Sequence, residues 1–254
     1  MREILEAVAA GELDPAAAEG ELRGYVTSEA GRFDAAREDR SGVPEAVIAT
    51  GKTEQAVATL AEASLDSTGR AIVTRASEGD IEAVTERVEE AAPAAEISHD
   101  NRARAVVVRK SDYDAPTLDA TVCIVTAGTS DEAVAGEASV IVQEMGATVE
   151  RVRDVGVASL ARTLDQVEHL REQDVLIVAA GREGALPTVV AGLVDVPLIG
   201  LPVSTGYGHG GEGQAALSGM LQSCTALSVV NVDAGFTAGV QAGLIARQLD
   251  AARE

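Results

Sequence analysis

Four groups of residues have the types and spacing for chemistry. Cys224 closes the stretch "GMLQSC", between a helical and a strand-like run. A thiol there can be a nucleophile that is also a good leaving group, or a small hydrophobe that packs. Glu183 stands between Gly181 and Gly184 in "AAGREGALP", ahead of Ala185 at a helix entry. The glycines let a ligand approach the backbone, and the carboxyl can accept a proton or simply complement the helix dipole. "TAGTSDEA" sets Gly128, Thr129, Ser130 and Asp131 ahead of another helix. Free N–H groups at a helix start favour an anion, although Ser130 and Asp131 also fit as cap and first-turn acid. "PVSTGYGHGGEGQAAL" carries Ser204, Tyr207, Gly208 and His209 in a glycine run longer than a tight connection needs. Asp154 lies in a fifth, weaker motif, "RDVGV".

These loops need a scaffold, and the pattern around them supplies one. "ATVCIVTAG", "TVERVRDVG", "DVLIVAAG", "VPLIGLPVS" and "LSVVNVD" read as strands, each followed or preceded by a helical segment. Continuous apolar runs mark strands buried on both faces of a parallel sheet. Repeated β-α units predict a three-layer, doubly wound domain over residues 119–254, with ligands beyond the carboxyl ends of its strands. "SCTALS", with Cys224, is read as the last of these loops. Residues 1–118 predict a smaller unit: helices over 1–40, then a β-α-β-α-β set over 45–110, then a polar linker, "KSDYDAPTLDA". The fold class is therefore α/β.

Composition excludes several functions. The formal charge is −21, with only Lys52 and Lys110 as lysines, and such a surface repels phosphate backbones, so nucleic-acid binding is not expected. No run approaches a membrane span. The N-terminus reads as an amphipathic helix rather than a signal peptide. The two cysteines form neither a metal-ligand spacing nor a disulfide framework, which predicts free thiols and a cytoplasmic location. "ATGKTEQ" contains Gly-Lys-Thr but has Ala46 where a P-loop needs glycine, so it is not an ATP site.

In order, "AGTSD", "RDVGV", "AGREGALP", "GYGHGGEGQAALSGMLQSC" and "VVNVDAGFTAG" resemble the LarB family, whose catalytic domain is similar to class I aminoimidazole ribonucleotide carboxylase (PurE). "DAAREDRSGVPEAVIATGKT" resembles that family's N-terminal segment, so the likeness spans the chain. It implies carboxylation of the pyridinium ring of nicotinic acid adenine dinucleotide at C5 and hydrolysis of its phosphoanhydride. The products would be AMP and pyridinium-3,5-biscarboxylic acid mononucleotide, the first intermediate of the nickel-pincer nucleotide. Carbon dioxide would be the co-substrate, with no tightly bound cofactor, no protein-bound metal, and Mg²⁺ at most accompanying the diphosphate.

The resemblance also implies roles. An electron-poor ring needs a nucleophile to add before its C5 can attack carbon dioxide, and Cys224 fits that need, while Cys123, mid-strand, reads as packing. Glu183 would be the base that removes the C5 proton. Asp131, with Gly128, Thr129 and Ser130, would serve the phosphate, ribose or phosphoanhydride. Asp154, Gly181, Gly184, Ala185, Ser204, Tyr207 and Gly208 would form the substrate pocket, and Lys52 would reach a phosphate or carboxylate. PurE-like domains further imply a homo-octamer, for which the small-residue face of "GFTAGVQAGLIARQL" is independent support. Two alternatives stand beside this reading: a PurE-type purine enzyme, and a nucleotide-binding protein without catalysis.

The charge of −21 with so few lysines predicts a halophilic protein. Screening of acid–acid repulsion should then raise the melting temperature from dilute buffer to molar KCl. A flat or falling melting temperature over that range, by scanning fluorimetry, would contradict the adaptation.

Overall fold

Apolar stretches bounded by turn residues form strands in both halves of the chain. The computed structural model describes residues 2–11, 14–206 and 208–253, divided into two compact units, Met1–Asp114 and Ala115–Glu254.

The first unit begins with α1 (Arg2–Ala10) and α2 (Pro15–Arg23). The helices expected up to residue 40 give way to an antiparallel hairpin, β1 (Val26–Ser28) and β2 (Gly31–Phe33), with Val26 opposite Phe33. Gly31 turns it at φ 144, a conformation glycine alone adopts readily. After α3 (Arg37–Ser41) come β3 (Val47–Ile48), α4 (Glu54–Thr68), β4 (Arg70–Thr74), α5 (Glu78–Ala91), β5 (Glu96–Asp100) and β6 (Ala105–Arg109). The Thr53 hydroxyl accepts the Ala56 N–H at 3.3 Å to cap α4, and Ser77 with Asp80 forms a capping box on α5. Val57, Ala61, Leu65, Val84 and Val88 of these helices pack on Ala71, Val73, Val106 and Val108. The sheet order is β3-β4-β6-β5. Strand β5 is an addition to the expected set. Its sequence, "EISHD", is polar because it is an edge strand paired only with β6.

The second unit holds β7 (Thr121–Thr126), α6 (Glu132–Glu144), β8 (Thr148–Val152), α7 (Leu160–Leu164), α8 (Val167–Arg171), β9 (Val175–Ala180), α9 (Ala185–Ala191), β10 (Leu198–Pro202), α10 (Gln214–Leu221), β11 (Ser228–Val229) and α11 (Gly235–Arg253). The five strands are parallel in the order β11-β10-β9-β7-β8. Alternation along β7 divides the core. Val122 and Ile124 face Ala138, Val142, Ala238 and Ala242 of α6 and α11. Cys123 and Val125 face Leu170, Leu186, Val190 and Met220 of α8, α9 and α10. Both faces are covered by helices, which is why the strands read as unbroken apolar runs.

Helix α11 packs on α6 through glycines. A Cβ at Gly239 would stand 2.7 Å from the Ala138 carbonyl oxygen, and one at Gly243 would stand 2.5 Å from the Met145 sulfur. The small-residue face of α11 is therefore used inside the subunit, and it ceases to support assembly. Gly239→Val should overpack this contact and destabilise the protein by about 2 kcal/mol, lowering the melting temperature by several degrees. An unchanged melting temperature would show that the two helices can separate at no cost.

Candidate active site

Strand order fixes the place of the site. From β7 the chain moves to β8 on one side, then returns to β9 on the other. The loops leaving β7 and β9 diverge, and a crevice opens between them at the carboxyl ends of the strands. A cavity of about 660 Å³ occupies this place, within the range of small-molecule sites. The β7 loop lines it with Ala127, Gly128, Ser130 and Asp131, the β8 loop with Gly156, Val157 and Ala158, and the β9 segment with Ala180 to Glu183, Ala185 and Leu186. Thr205 closes it from the β10 loop.

Asp131 ties these loops together. One carboxylate oxygen accepts the Gly128 N–H at 2.9 Å, and the other accepts the Thr205 hydroxyl at 3.3 Å. The residue is only 2% exposed. Burial pushes its carboxyl above the usual carboxylate range, against the opposing pull of the Gly128 and Thr205 hydrogen bonds. The Ser204 N–H donates to Asp233 Oδ1 at 2.9 Å, so the loop after β11 anchors the start of the glycine run.

Backbone strain clusters at the same edge. Arg182 (φ 46) and Asp154 (φ 55) both lie in the left-handed region, which costs a non-glycine residue on the order of 1–3 kcal/mol. Such strain places Arg182 and Glu183 on a tight turn at the pocket wall. Gly184 follows at φ 65, where a Cβ would come within 2.6 Å of the Ala216 carbonyl oxygen. Its requirement is close packing of α9 against α10.

Of the residues singled out in the sequence, Gly128, Ser130, Asp131, Gly181, Glu183 and Ala185 line the cavity together. Thr129, Gly184, Ser204 and Gly208 lie in the same loops but outside its lining. Asp154 is exposed and accepts from Arg162 at 2.8 Å. Lys52 belongs to the first unit, where its Nζ donates to the Ile48 carbonyl at 2.7 Å. Tyr207 lies outside the described residues. The motifs had not singled out Arg182, Thr205 or the Gly156–Ala158 wall. Arg182 sits inside "GREG" itself, and as a cavity-lining cation it suits an anionic ligand. Among the described residues no three His, Cys, Asp or Glu side chains come together to hold a metal ion, and no helix is long and apolar enough to cross a membrane.

The placement of Cys224 corrects the loop assignment. "SCTALS" connects α10 to β11, so it lies at the amino ends of the strands, opposite the cavity. The neighbouring Thr225 methyl would lie 3.9 Å from a Cβ on Gly192, beyond the far end of α9. The spacing of helix and strand was legible, but not which sheet edge the connection meets. Cys224 is exposed and Cys123 buried. Burial, reinforced by Glu150, pushes the Cys123 thiol up to about 12, which leaves it protonated and inert at neutral pH.

Comparison with known proteins bears on these features. Residues 121–254 match the AIR carboxylase family model, and residues 25–110 match the LarB/PurE-like N-terminal domain. An uncharacterized protein of Methanocaldococcus jannaschii is 36% identical over 220 residues, covering 85% of this chain and 84% of that protein. The N5-carboxyaminoimidazole ribonucleotide mutase of the same organism is 32% identical over 136 residues, covering 52% of this chain and 80% of the mutase. A crystal structure of Treponema denticola PurE is 15% identical, covering 52% of this chain and 94% of that one, with a TM-score of 0.37. An N-terminal LarB domain followed by a PurE-like carboxylase domain is the LarB layout, and the chain belongs to the LarB family.

Proposed function

We propose that this chain carboxylates the pyridinium ring of nicotinic acid adenine dinucleotide at C5 and hydrolyses the phosphoanhydride, through a transient bond between Cys224 and the ring. The family establishes the coarser statement, an enzyme of the PurE/LarB carboxylase type. The observation that carries the finer reading is the LarB N-terminal domain fused to the carboxylase domain. The exposed second thiol suits the chemistry that this substrate demands.

The steps balance without an external oxidant or reductant. The Cys224 thiolate, which lies opposite the cavity of its own subunit and so reaches the ring from a second copy of the chain, adds to C4, the ring carbon next to C5, and the ring electrons move to nitrogen. The resulting dihydropyridine is an enamine, and its C5 attacks carbon dioxide to form the new C–C bond. Glu183, at the cavity wall, takes the C5 proton. Expulsion of the thiolate restores the aromatic ring. Water cleaves the phosphoanhydride in a separate step, releasing AMP. Arg182 and the N–H groups of the β7 loop receive the phosphates, and Asp131 holds that loop to the β10 loop.

The 32% identity to the mutase favours a second reading, conversion of an aminoimidazole ribonucleotide. That ring carries its own amine to push electrons and has no use for a thiol. Incubation with nicotinic acid adenine dinucleotide and bicarbonate, read by mass spectrometry, should yield AMP and the dicarboxylated mononucleotide. Cys224→Ala should lower carboxylation by more than about 10³-fold, while Cys123→Ala leaves it near wild type. Turnover of 4-carboxyaminoimidazole ribonucleotide with none of the dinucleotide would establish the mutase reading instead.

Asp131 supplies a further check. Its folded carboxyl is raised by burial, so the associated stability is present below the normal carboxylate pKa and is lost as pH rises through the raised value. At neutral pH the ionised form works against the fold. Asp131→Asn should therefore keep the melting temperature at or above wild type while reducing AMP release. A large drop in melting temperature would make its role structural.

A further inference from the structure

We propose that the edge of the first unit's sheet where β3 and β4 end binds a phosphate group, either free or as the phosphomonoester of a nucleotide. The site is built from first-unit residues alone and does not rest on the carboxylation reading.

Three loops meet at this edge. Strands β3 and β4 run parallel, and β6 starts beside the end of β4. The Ala49 N–H donates to the Thr74 carbonyl at 2.9 Å, and the Ala76 N–H to the Arg104 carbonyl at 2.8 Å. These bonds tie together the loop before α4, with Lys52, the loop before α5, and the β5–β6 turn, with Arg102 and Arg104. Acids outnumber bases in this chain by 41 to 20. Cations elsewhere accordingly take carboxylate partners, as Arg37 does with Glu45, Arg87 with Glu62 and Arg162 with Asp154. Lys52, Arg102 and Arg104 are all exposed and have no such partner.

The key cation is held in place. Arg104 donates from Nε to the Ala76 carbonyl and from Nη2 to the Arg75 carbonyl, both at 3.1 Å, which fixes the guanidinium plane and leaves Nη1 for a ligand. Arg75 and Arg104 both lie in the left-handed region, at φ 56 and 53. The other described non-glycine residues there, Asp154, Arg182, Glu212 and Asp233, all stand in loops leaving strands of the second sheet. Strain of this kind, on the order of 1–3 kcal/mol per residue, therefore marks the loop edge of both sheets.

The turn ahead of α4 sets the size of the group. The Lys52 N–H donates to the Ala49 carbonyl at 2.9 Å, a turn too tight to wrap a chain of phosphates. Above Gly51 the space is open, since a Cβ there would meet nothing within 4 Å. The Thr53 hydroxyl takes the Ala56 N–H, leaving the N–H groups of Glu54 and Gln55 for an anion. The nearby acids are partly spent. Asp80 caps α5 with Ser77, Glu54 Oε1 lies against Gly79, and Asp100 accepts the N–H groups of Arg102 and Ala103. A phosphate presents three oxygens to this set of ammonium, guanidinium and N–H donors, where a carboxylate presents two.

Hydrogen exchange of the full-length protein, read by mass spectrometry, tests the site. AMP at up to ~10 mM, the range of a weak ligand, should slow exchange in the peptides covering 49–56 and 101–105, and adenosine should not. Equal protection by inorganic phosphate would assign the site to the free ion, and protection by AMP alone to the nucleotide. The double variant Lys52→Gln with Arg102→Gln alters only exposed side chains and should melt as wild type. It should need at least about tenfold more ligand for the same protection, from loss of two charge-assisted contacts. Arg104→Lys, which keeps the charge and removes the fork, should weaken protection as well. No protection of these peptides by either AMP or phosphate would overturn the proposal, as would undiminished protection in the double variant.

Discussion

The return of the chain across the sheet, from β8 past β7 to β9, is the constraint on which the rest depends. It separates two loops that would otherwise pack side by side, and the space between them is the cavity. Everything that gives the cavity its character follows from that separation. Asp131 crosses it to Thr205, Arg182 and Glu183 project from a strained turn on one wall, and glycine lets α9 lie against α10 behind that wall. The helices on both faces, packed on the sheet largely through aliphatic and small residues, hold the strand ends in place.

Asp131 shows how structure and chemistry share one group. Its two hydrogen bonds position the β7 loop, while burial holds its carboxyl above the usual range. A surface cap would do the first without the second. The two cysteines make a similar contrast. Cys123 is buried under the helices on one face of the sheet and its thiol is held protonated, whereas Cys224 is exposed.

Much of this was legible in the sequence, for identifiable reasons. Unbroken apolar strands such as "CIVT" and "LIVAA" announce a parallel sheet, and the glycine-bearing loops at their ends announce where a ligand would lie. "GREG" and "GTSD" came together as their positions after strands required. The hairpin at Val26–Phe33 and the edge strand at Glu96–Asp100 did not announce themselves, because short or edge strands carry little apolar periodicity. The sequence places Cys224 at the wrong side of the sheet, since a loop's composition does not say whether it leaves a strand or enters one. Likewise the glycines of α11 read as an assembly face, although their partner is α6 in the same subunit.

The bond proposed between Cys224 and the pyridinium ring is tested most directly by acid-quenched intact-mass analysis with peptide mapping. The amide dinucleotide NAD⁺ offers the same pyridinium ring without the natural carboxylate, so the reaction should stall after thiolate addition. The account predicts a mass increase of one dinucleotide on the peptide bearing Cys224, none on the peptide bearing Cys123, and loss of the adduct in Cys224→Ser. Turnover of the acid dinucleotide by a protein that forms no adduct at Cys224 with either dinucleotide would contradict it.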